Sequence, residues 1–172
     1  MSASSEPDYP TCARCYATLC ANTGGLDPAA VYAHLGIALA SIQHEGLAVP
    51  ELPWKVGRFN GWFLSSKGRL SSRDLRDHLD WLFEMVEPRR ACIEALRAGG
   101  CRFYIFCFWI SKDGHGGPII SVSQSQKLAE FQFDLDLDIY FVGGPDSEDE
   151  AARGGNDGGA ATQHGDQARS QG

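Results

Sequence analysis

Two cysteines form a C-x-x-C pair that could serve as a metal or redox site. They are Cys12 and Cys15. A zinc site would need a second close pair, and Cys101 and Cys107 lack that spacing. A redox motif should open a helix, which lowers the pKa of the thiol, whereas a predicted strand follows Cys15. In an extended segment the two Cα atoms would lie roughly 10 Å apart, beyond the reach of a disulfide. Because we see no secretory signal, we expect all six cysteines to be reduced thiols, and we expect no metal and no cofactor.

Three aspartates alternate along one predicted strand and could also bind a cation. Asp134, Asp136 and Asp138 share one strand face, where alternate residues lie about 6.7 Å apart. The outer two are then about 13 Å apart, whereas oxygen ligands approach calcium within about 2.6 Å. Three carboxylates on one strand cannot surround a single ion, and two of them would need a third ligand from elsewhere. We expect a solvated face whose like charges discourage pairing along a sheet edge.

The glycine-rich segment Ser111–Pro118 could bind an anion or a small ligand. It lacks the spacing of the phosphate-binding glycine motifs, and no strong helix signal follows it to direct an N-terminus at a phosphate. A turn is the simpler interpretation. The alternative is a small-ligand- or metal-binding enzyme that uses the Gly114–Pro118 loop with His115 and Asp138. Residues that would line such a ligand site are Trp62, Ser65, His115, Gly116, Gly117 and Asp138.

The sequence contains no arrangement typical of a catalytic centre. It has no G-x-S-x-G nucleophile motif, and Cys107 lies in mid-strand, a poor place for an exposed nucleophile. His78 follows Asp74 by one helical turn, beside Asp77 and an apolar helix stripe. We expect His78 to be a boundary histidine bonded to a carboxylate, and we assign no catalytic residues.

The elements that position these residues follow the order β-α-β-β-α-β, with a short helix and a last strand after them. Asp27 and Pro28 predict the start of the first helix. Ser71 or Ser72 is expected to cap the second helix, which Pro88 should kink or split. This pattern predicts an α+β fold: a mixed or antiparallel sheet of about five strands, two main helices on one face, and a ferredoxin-like order of the first six elements. The expected strands are 12–22, 37–43, 58–65, 101–110 and 131–142, the helices 28–35, 72–98 and 123–130, and a loop 44–57.

The strand 101–110 is apolar on both faces. One face carries Phe103, Ile105, Cys107 and Trp109, and the other carries Tyr104, Phe106, Phe108 and Ile110. Such a strand should be central and covered twice, yet two helices cover only one face of a sheet. Exposed aromatic side chains of roughly 150–250 Å² each are seldom left in a contiguous patch on a soluble monomer. We therefore expect an interaction face at Phe106, Phe108 and Trp109, covered by the 44–57 loop, the 123–130 segment, a second copy of the chain or a partner protein.

Composition divides the chain into one domain and two polar ends. Residues 12–142 should form a single α+β domain, residues 1–11 a flexible N-terminus, and residues 143–172 a disordered acidic tail rich in glycine and alanine. Most of the formal charge of −7 lies in these ends, so the domain lacks the basic surface of a nucleic-acid-binding protein. We see no secretory signal and no run of the roughly 20 apolar residues that span a bilayer. We expect a cytoplasmic protein with no nucleic-acid or membrane partner.

Several short strings occur in a characteristic order between residues 18 and 142. They are Leu35-Gly36-Ile37, Trp62-Phe-Leu-Ser65-Ser66, His78-Leu-Asp-Trp81-Leu, Glu87-Pro88-Arg89, Ile105-Phe-Cys107-Phe-Trp109, Gly116-Gly117-Pro118 and Leu137-Asp138-Ile139-Tyr140-Phe141. Their order and spacing resemble a bacterial family known as domain of unknown function 4279. The resemblance implies a fold and a bacterial origin, and it brings no catalytic residues.

These observations favour a non-catalytic bacterial binding or interaction protein whose partner is another protein or a second copy of the chain. One concrete form would be an immunity or inhibitor protein for a toxin. A polar cleft lined by His115 and a carboxylate would favour the enzyme alternative instead. A flat or apolar exposed face would favour the interaction protein.

Overall fold

The computed structural model describes residues 9–49 and 52–141 of the chain. In this part the chain has the predicted α+β class: a five-stranded mixed sheet, a two-stranded hairpin and four α-helices. The elements are β1 (Cys12–Asn22), α1 (Pro28–Leu35), β2 (Ser41–Gln43), β3 (Ala48–Val49), β4 (Leu52–Val56), β5 (Gly61–Ser65), α2 (Leu75–Val86), α3 (Arg90–Ala98), β6 (Arg102–Ser111), α4 (Val122–Phe131) and β7 (Asp134–Phe141). The predicted tail 143–172 and most of the predicted flexible N-terminus 1–11 lie outside the described residues.

The main sheet has the strand order β2-β5-β1-β6-β7. β1 is antiparallel to both of its neighbours, β5 and β6, and β2 is antiparallel to β5. The chain therefore crosses over one antiparallel strand between β1 and β2, and again between β5 and β6, as a split β-α-β unit does. β7 pairs in parallel with β6 and forms one edge of the sheet.

The helices pack on one face of this sheet. Alternate residues of β1, β5 and β6 belong to the same buried core as the apolar faces of the helices. In β6 these are Phe103, Ile105, Cys107 and Trp109, which are at most 4% exposed. The residues between them on the strand, Tyr104, Phe106, Phe108 and Ile110, are outside this core and remain partly exposed.

The start of α2 differs from the prediction. Asp74, and not Ser71 or Ser72, caps the helix: its side chain accepts a hydrogen bond from the Arg76 backbone N–H at 3.0 Å. The Ser72 hydroxyl instead accepts a bond from the Asp74 backbone N–H and so stabilises the preceding turn. Pro88 splits the helix as predicted, because a 3-10 turn at Glu87–Arg89 separates α2 from α3.

Other boundaries shift for local reasons. The predicted second strand begins only at Ser41, because a turn bond joins Ala40 to Ile37. The 44–57 segment was predicted as a loop, but it contains the hairpin β3–β4. The last strand begins at Asp134, because α4 continues to Phe131 and ends in a left-handed residue, Gln132.

Candidate functional site

The side of the main sheet that the helices leave uncovered is a broad surface, which we call the open face. The strand register places alternate residues of every strand on it. They are Ser41 and Gln43 of β2; Gly61, Phe63 and Ser65 of β5; Arg14, Tyr16, Thr18, Cys20 and Asn22 of β1; Arg102, Tyr104, Phe106, Phe108 and Ile110 of β6; and Asp134, Asp136, Asp138 and Tyr140 of β7. The open face thus combines an aromatic centre with an acidic edge.

Direct cross-strand neighbours show how this surface changes from one edge to the other. One row across β5, β1, β6 and β7 consists of Ser65, Thr18, Phe106 and Asp136. The hydroxyl groups of Ser65 and Thr18 lie 2.8 Å apart and form a hydrogen bond with each other. In this row, therefore, hydroxyl groups lie on β5 and β1, an aromatic ring lies on β6, and a carboxylate lies on β7.

The rings on β1, β6 and β7 form an aromatic cluster of Tyr16, Phe108 and Tyr140. Tyr16 stacks on Phe108 with ring centroids 4.9 Å apart, and Phe108 meets Tyr140 at 5.4 Å. The Arg14 guanidinium lies 5.2 Å from the Phe108 centroid, and the Lys67 ammonium lies 5.4 Å from that of Tyr16. Lateral contact and charged side chains thus cover the rings in part, and burial raises the pKa of Tyr16. The cluster already accepts cations against its faces.

The structure places two of the three residues of the predicted interaction face on the open face. Phe106 and Phe108 lie on the open face and are partly exposed. Trp109 does not belong with them, because side chains alternate along a strand: it is 1% exposed and packs in the core opposite Cys15. The 123–130 segment does not cover the open face either. Its Gln124 side chain donates to the Arg76 carbonyl oxygen of α2, on the helix side.

The Gly114–Pro118 loop is held against the start of β1. The Tyr9 hydroxyl donates to the Gly117 carbonyl oxygen at 2.9 Å. Gly116 has φ +85°, and a Cβ at that position would lie 2.8 Å from Thr11 Oγ1, so this turn requires glycine. His115 is exposed, and its Nδ1 lies 3.0 Å from a carbonyl oxygen of its own loop. The loop has the geometry of a packed turn.

The structure does not bring the other predicted ligand residues together. Trp62 is 0% exposed on the helix side of β5, and its indole N–H has no hydrogen-bond partner among the described residues. Ser65 and Asp138 lie on the opposite, open face, and three strand pairings separate β5 from β7. Two clefts of about 520 and 560 Å³ lie elsewhere, and His115 lines neither of them. The sheet itself separates Trp62 from Ser65 and Asp138.

A buried serine–histidine pair was missed by the sequence analysis. His78 Nδ1 lies 2.8 Å from Ser66 Oγ, and its Nε2 lies 2.8 Å from the Ser72 carbonyl oxygen. The expected bond from His78 to a carboxylate is therefore wrong. Burial lowers the pKa of His78, so the ring is neutral, with Nε2–H donating to Ser72 and Nδ1 accepting from Ser66. Both side chains are 0% exposed, so this pair supports the fold and has no access to a substrate.

Five of the six cysteines are buried thiols without the electrostatics of a reactive site. All six are free, and five are buried. Burial raises the pKa of Cys20 to about 11 and that of Cys107 to about 12, and it raises the pKa of Cys15 as well. Raised pKa values keep a thiol protonated and inert. Within residues 9–49 and 52–141, no group of three or more His, Cys, Asp or Glu side chains could hold a metal ion.

Within the described part of the chain, no helix combines the length and the hydrophobicity that crossing a membrane would require. The cytoplasmic location and the protein partner or second copy of the chain that we expect from the sequence stay predictions.

Comparison with known proteins gives one match. A family model described as "Domain of unknown function (DUF4279)" matches residues 13–142, which is nearly all of the predicted domain. No similar protein was found among curated proteins or among solved structures. The predicted bacterial origin stays a prediction. The match extends from the first strand to the last, and the chain belongs to the DUF4279 family.

Proposed function

We propose that this chain is a non-catalytic binding protein that docks another protein on the open face of its sheet. The observation that carries the proposal is the one-sided packing of the helices. Six aromatic side chains lie on the other side of the sheet: Tyr16, Phe63, Tyr104, Phe106, Phe108 and Tyr140. All of them are partly exposed, and Tyr140 is 49% exposed.

The composition of the open face suits protein recognition. Tyrosine, phenylalanine and arginine are enriched at interfaces, where aromatic anchors supply most of the binding free energy. Rings that already pack against one another lose little side-chain entropy when a partner covers them. The aromatic cluster is arranged in this way, because Phe108 is held between Tyr16 and Tyr140. A partner that covered the cluster would remove its remaining apolar surface from water.

The narrower role that we propose is an inhibitor or immunity protein for a toxin. Such a protein needs a surface that occludes its target and needs no catalytic machinery of its own. The open face supports this role because it is broad and carries six aromatic side chains. Co-expression with a toxin encoded by a neighbouring gene tests it: survival of the host that depends on Phe106 and Phe108 is the expected result.

The enzyme alternative has no comparable support. The His115 ring forms a hydrogen bond with the Asp113 carbonyl oxygen of its own loop. Trp62 is buried on the helix side of the sheet, opposite the face that carries Asp138. No observation in the described part of the chain favours a small-ligand reaction at these residues.

Site-specific photo-crosslinking tests the docking surface in cells. A photoreactive phenylalanine analogue replaces Phe106 on the open face or, as a matched control, Trp81, a half-buried aromatic on α2. We expect a discrete crosslinked protein from position 106 and not from position 81. That protein, once purified, should bind the chain directly, and Phe106→Ala should weaken this binding. Crosslinks from position 81 alone, or none from position 106, would contradict the proposal.

A further inference from the structure

The edge strand β7 has an unusually ordered pattern of exposed groups. It has eight residues, and no strand in the described part of the chain pairs with its outer side. Its open-face residues are three aspartates followed by Tyr140, and its helix-side residues include Leu137, 42% exposed, and Phe141, 61% exposed. An edge of this length presents unpaired backbone N–H and C=O groups to any extended segment.

We propose that β7 binds an extended segment of the partner protein by strand addition, and that this segment alternates basic with apolar residues. The proposal rests on the proposed function, because it specifies how a partner would reach the open face. Backbone hydrogen bonds to β7 would supply affinity, and the alternate side chains would supply specificity.

The charge of the edge selects the chemistry of the added strand. No salt bridge found among the described residues involves Asp134, Asp136 or Asp138. Asp138 accepts a hydrogen bond from the Tyr140 hydroxyl, which raises the pKa of that tyrosine. Directly opposite side chains on neighbouring strands lie about 4.5–5.5 Å apart. Lysine or arginine at alternate positions of the added strand would therefore meet each carboxylate, whereas acidic residues would be repelled.

The neighbouring aromatic side chains favour the same partner. On β6 the residues beside the three aspartates are Tyr104, Phe106 and Phe108. Long cationic side chains that extend over the carboxylates would reach the edges of this aromatic row. Arg14 shows that the row accepts a guanidinium, because its own guanidinium lies 5.2 Å from the Phe108 centroid.

The same charges disfavour a second copy of the chain as the occupant. If two β7 strands paired antiparallel with both helix layers on the same side, aspartate would face aspartate across the junction. If the helix layers lay on opposite sides, each aspartate would lie beside a leucine or isoleucine of the other copy. The acidic segment 143–172 of the same chain is disfavoured by like charge, since it holds six acidic and two basic residues. A basic strand from a different protein remains the occupant that fits.

The test uses defined peptides and the full-length chain. A ten-residue peptide that alternates lysine with valine is compared with one that alternates glutamate with valine, at low ionic strength, by fluorescence anisotropy. We expect binding of the basic peptide only, with slowed hydrogen exchange confined to the amides of β7. Asp136→Lys should weaken this binding at least tenfold and allow the acidic peptide to bind. Glu94→Lys, which makes the same charge change on the exposed surface of α3, should change it less than twofold.

Other outcomes would overturn the proposal. They are equal affinity for the two peptides, binding of the basic peptide that Asp136→Lys leaves unchanged, or slowed exchange outside β7. Asp134→Lys provides a second exposed variant if Asp136→Lys fails to fold. If crosslinks form at Phe106 while β7 stays unprotected, the docking face stands and strand addition fails. If neither occurs, both proposals fail.

Discussion

Replacement of His78 should show how strongly one buried contact joins β5 to the start of α2. The imidazole bridges Ser66, which follows β5, and the Ser72 carbonyl oxygen, which precedes the helix. His78→Ala removes the Nε2–H donor and leaves that carbonyl group without its main partner, a loss of about 1–3 kcal/mol. Ser66 suffers less, because its hydroxyl can turn to the Ala17 carbonyl oxygen at 3.0 Å.

The expected loss is large compared with the stability of a domain. The vacated ring leaves a cavity, and large-to-small changes in a core cost about 2–5 kcal/mol. Together with the unpaired carbonyl, we expect His78→Ala to lower the free energy of unfolding by at least about 3 kcal/mol, out of the roughly 5–15 kcal/mol typical of a native domain. The melting temperature should fall by at least about 10 °C. His115→Ala, in an exposed loop, should change the free energy by less than about 0.5 kcal/mol.

The pH dependence of unfolding gives an independent measure of the same contact. Burial lowers the pKa of His78 in the folded chain below the ordinary value of 6.5. Below pH 6.5 the unfolded chain therefore binds a proton that the folded chain does not, and the free energy of unfolding should decrease as pH falls toward the folded pKa. Urea unfolding between pH 8 and pH 5 should show this decrease in the wild type, and His78→Gln should remove part of it. Unfolding curves that His78→Ala leaves unchanged, or a wild type that gains stability as pH falls through this range, would refute the reasoning.

Three further predictions concern other parts of the chain. Gly61→Ala should lower the free energy of unfolding by about 1–3 kcal/mol, because the added Cβ would lie 2.6 Å from the Phe63 ring. Chemical unfolding should show that the same substitution costs much less in a Phe63→Ala background. An equal cost in both backgrounds would contradict the prediction. Cys92, the one cysteine that is not buried, should react first with a thiol reagent at pH 8, so a rapid phase that persists in Cys92→Ser would contradict the prediction. Truncation after Val142 should leave the melting temperature unchanged within a few degrees, because residues 143–172 lack large apolar side chains; a larger fall would mean that the tail docks on the domain.

Local signals account for the parts of the fold that the sequence predicted. Asp27 and Pro28 place the first helix correctly, since an N-cap and a first-turn proline act on their immediate neighbours. The cap of α2 was misplaced because Ser72 and Asp74 are both good caps, and the choice between them depends on bonds to Arg76 and Asp77. The choice between two neighbouring cap residues depends on the three-dimensional positions of their hydrogen-bond partners, which the residue types alone do not specify.

The candidate site depends on tertiary arrangement and was predictable only in part. Alternation along β6 separates Phe106 and Phe108 from Trp109, and a consistent use of that alternation would have removed Trp109 from the interaction face. Which face lies open depends on where the helices pack, and the position of β7 at an edge depends on strand order. Ser66 and His78 come from separate elements, so their contact could not be predicted from spacing along either one.

The most direct test of the central claim is the affinity of the protein that crosslinks at position 106. Isothermal titration calorimetry would measure its binding to the wild-type chain, to Phe106→Ala and to the control Trp81→Ala, after melting curves show that both variants fold. An aromatic hot spot at the centre of an interface contributes at least about 2 kcal/mol, so we predict that Phe106→Ala weakens binding more than about tenfold, while Trp81→Ala leaves it unchanged. Equal affinity for the wild type and Phe106→Ala, or a loss confined to Trp81→Ala, would contradict the assignment of the open face as the docking surface.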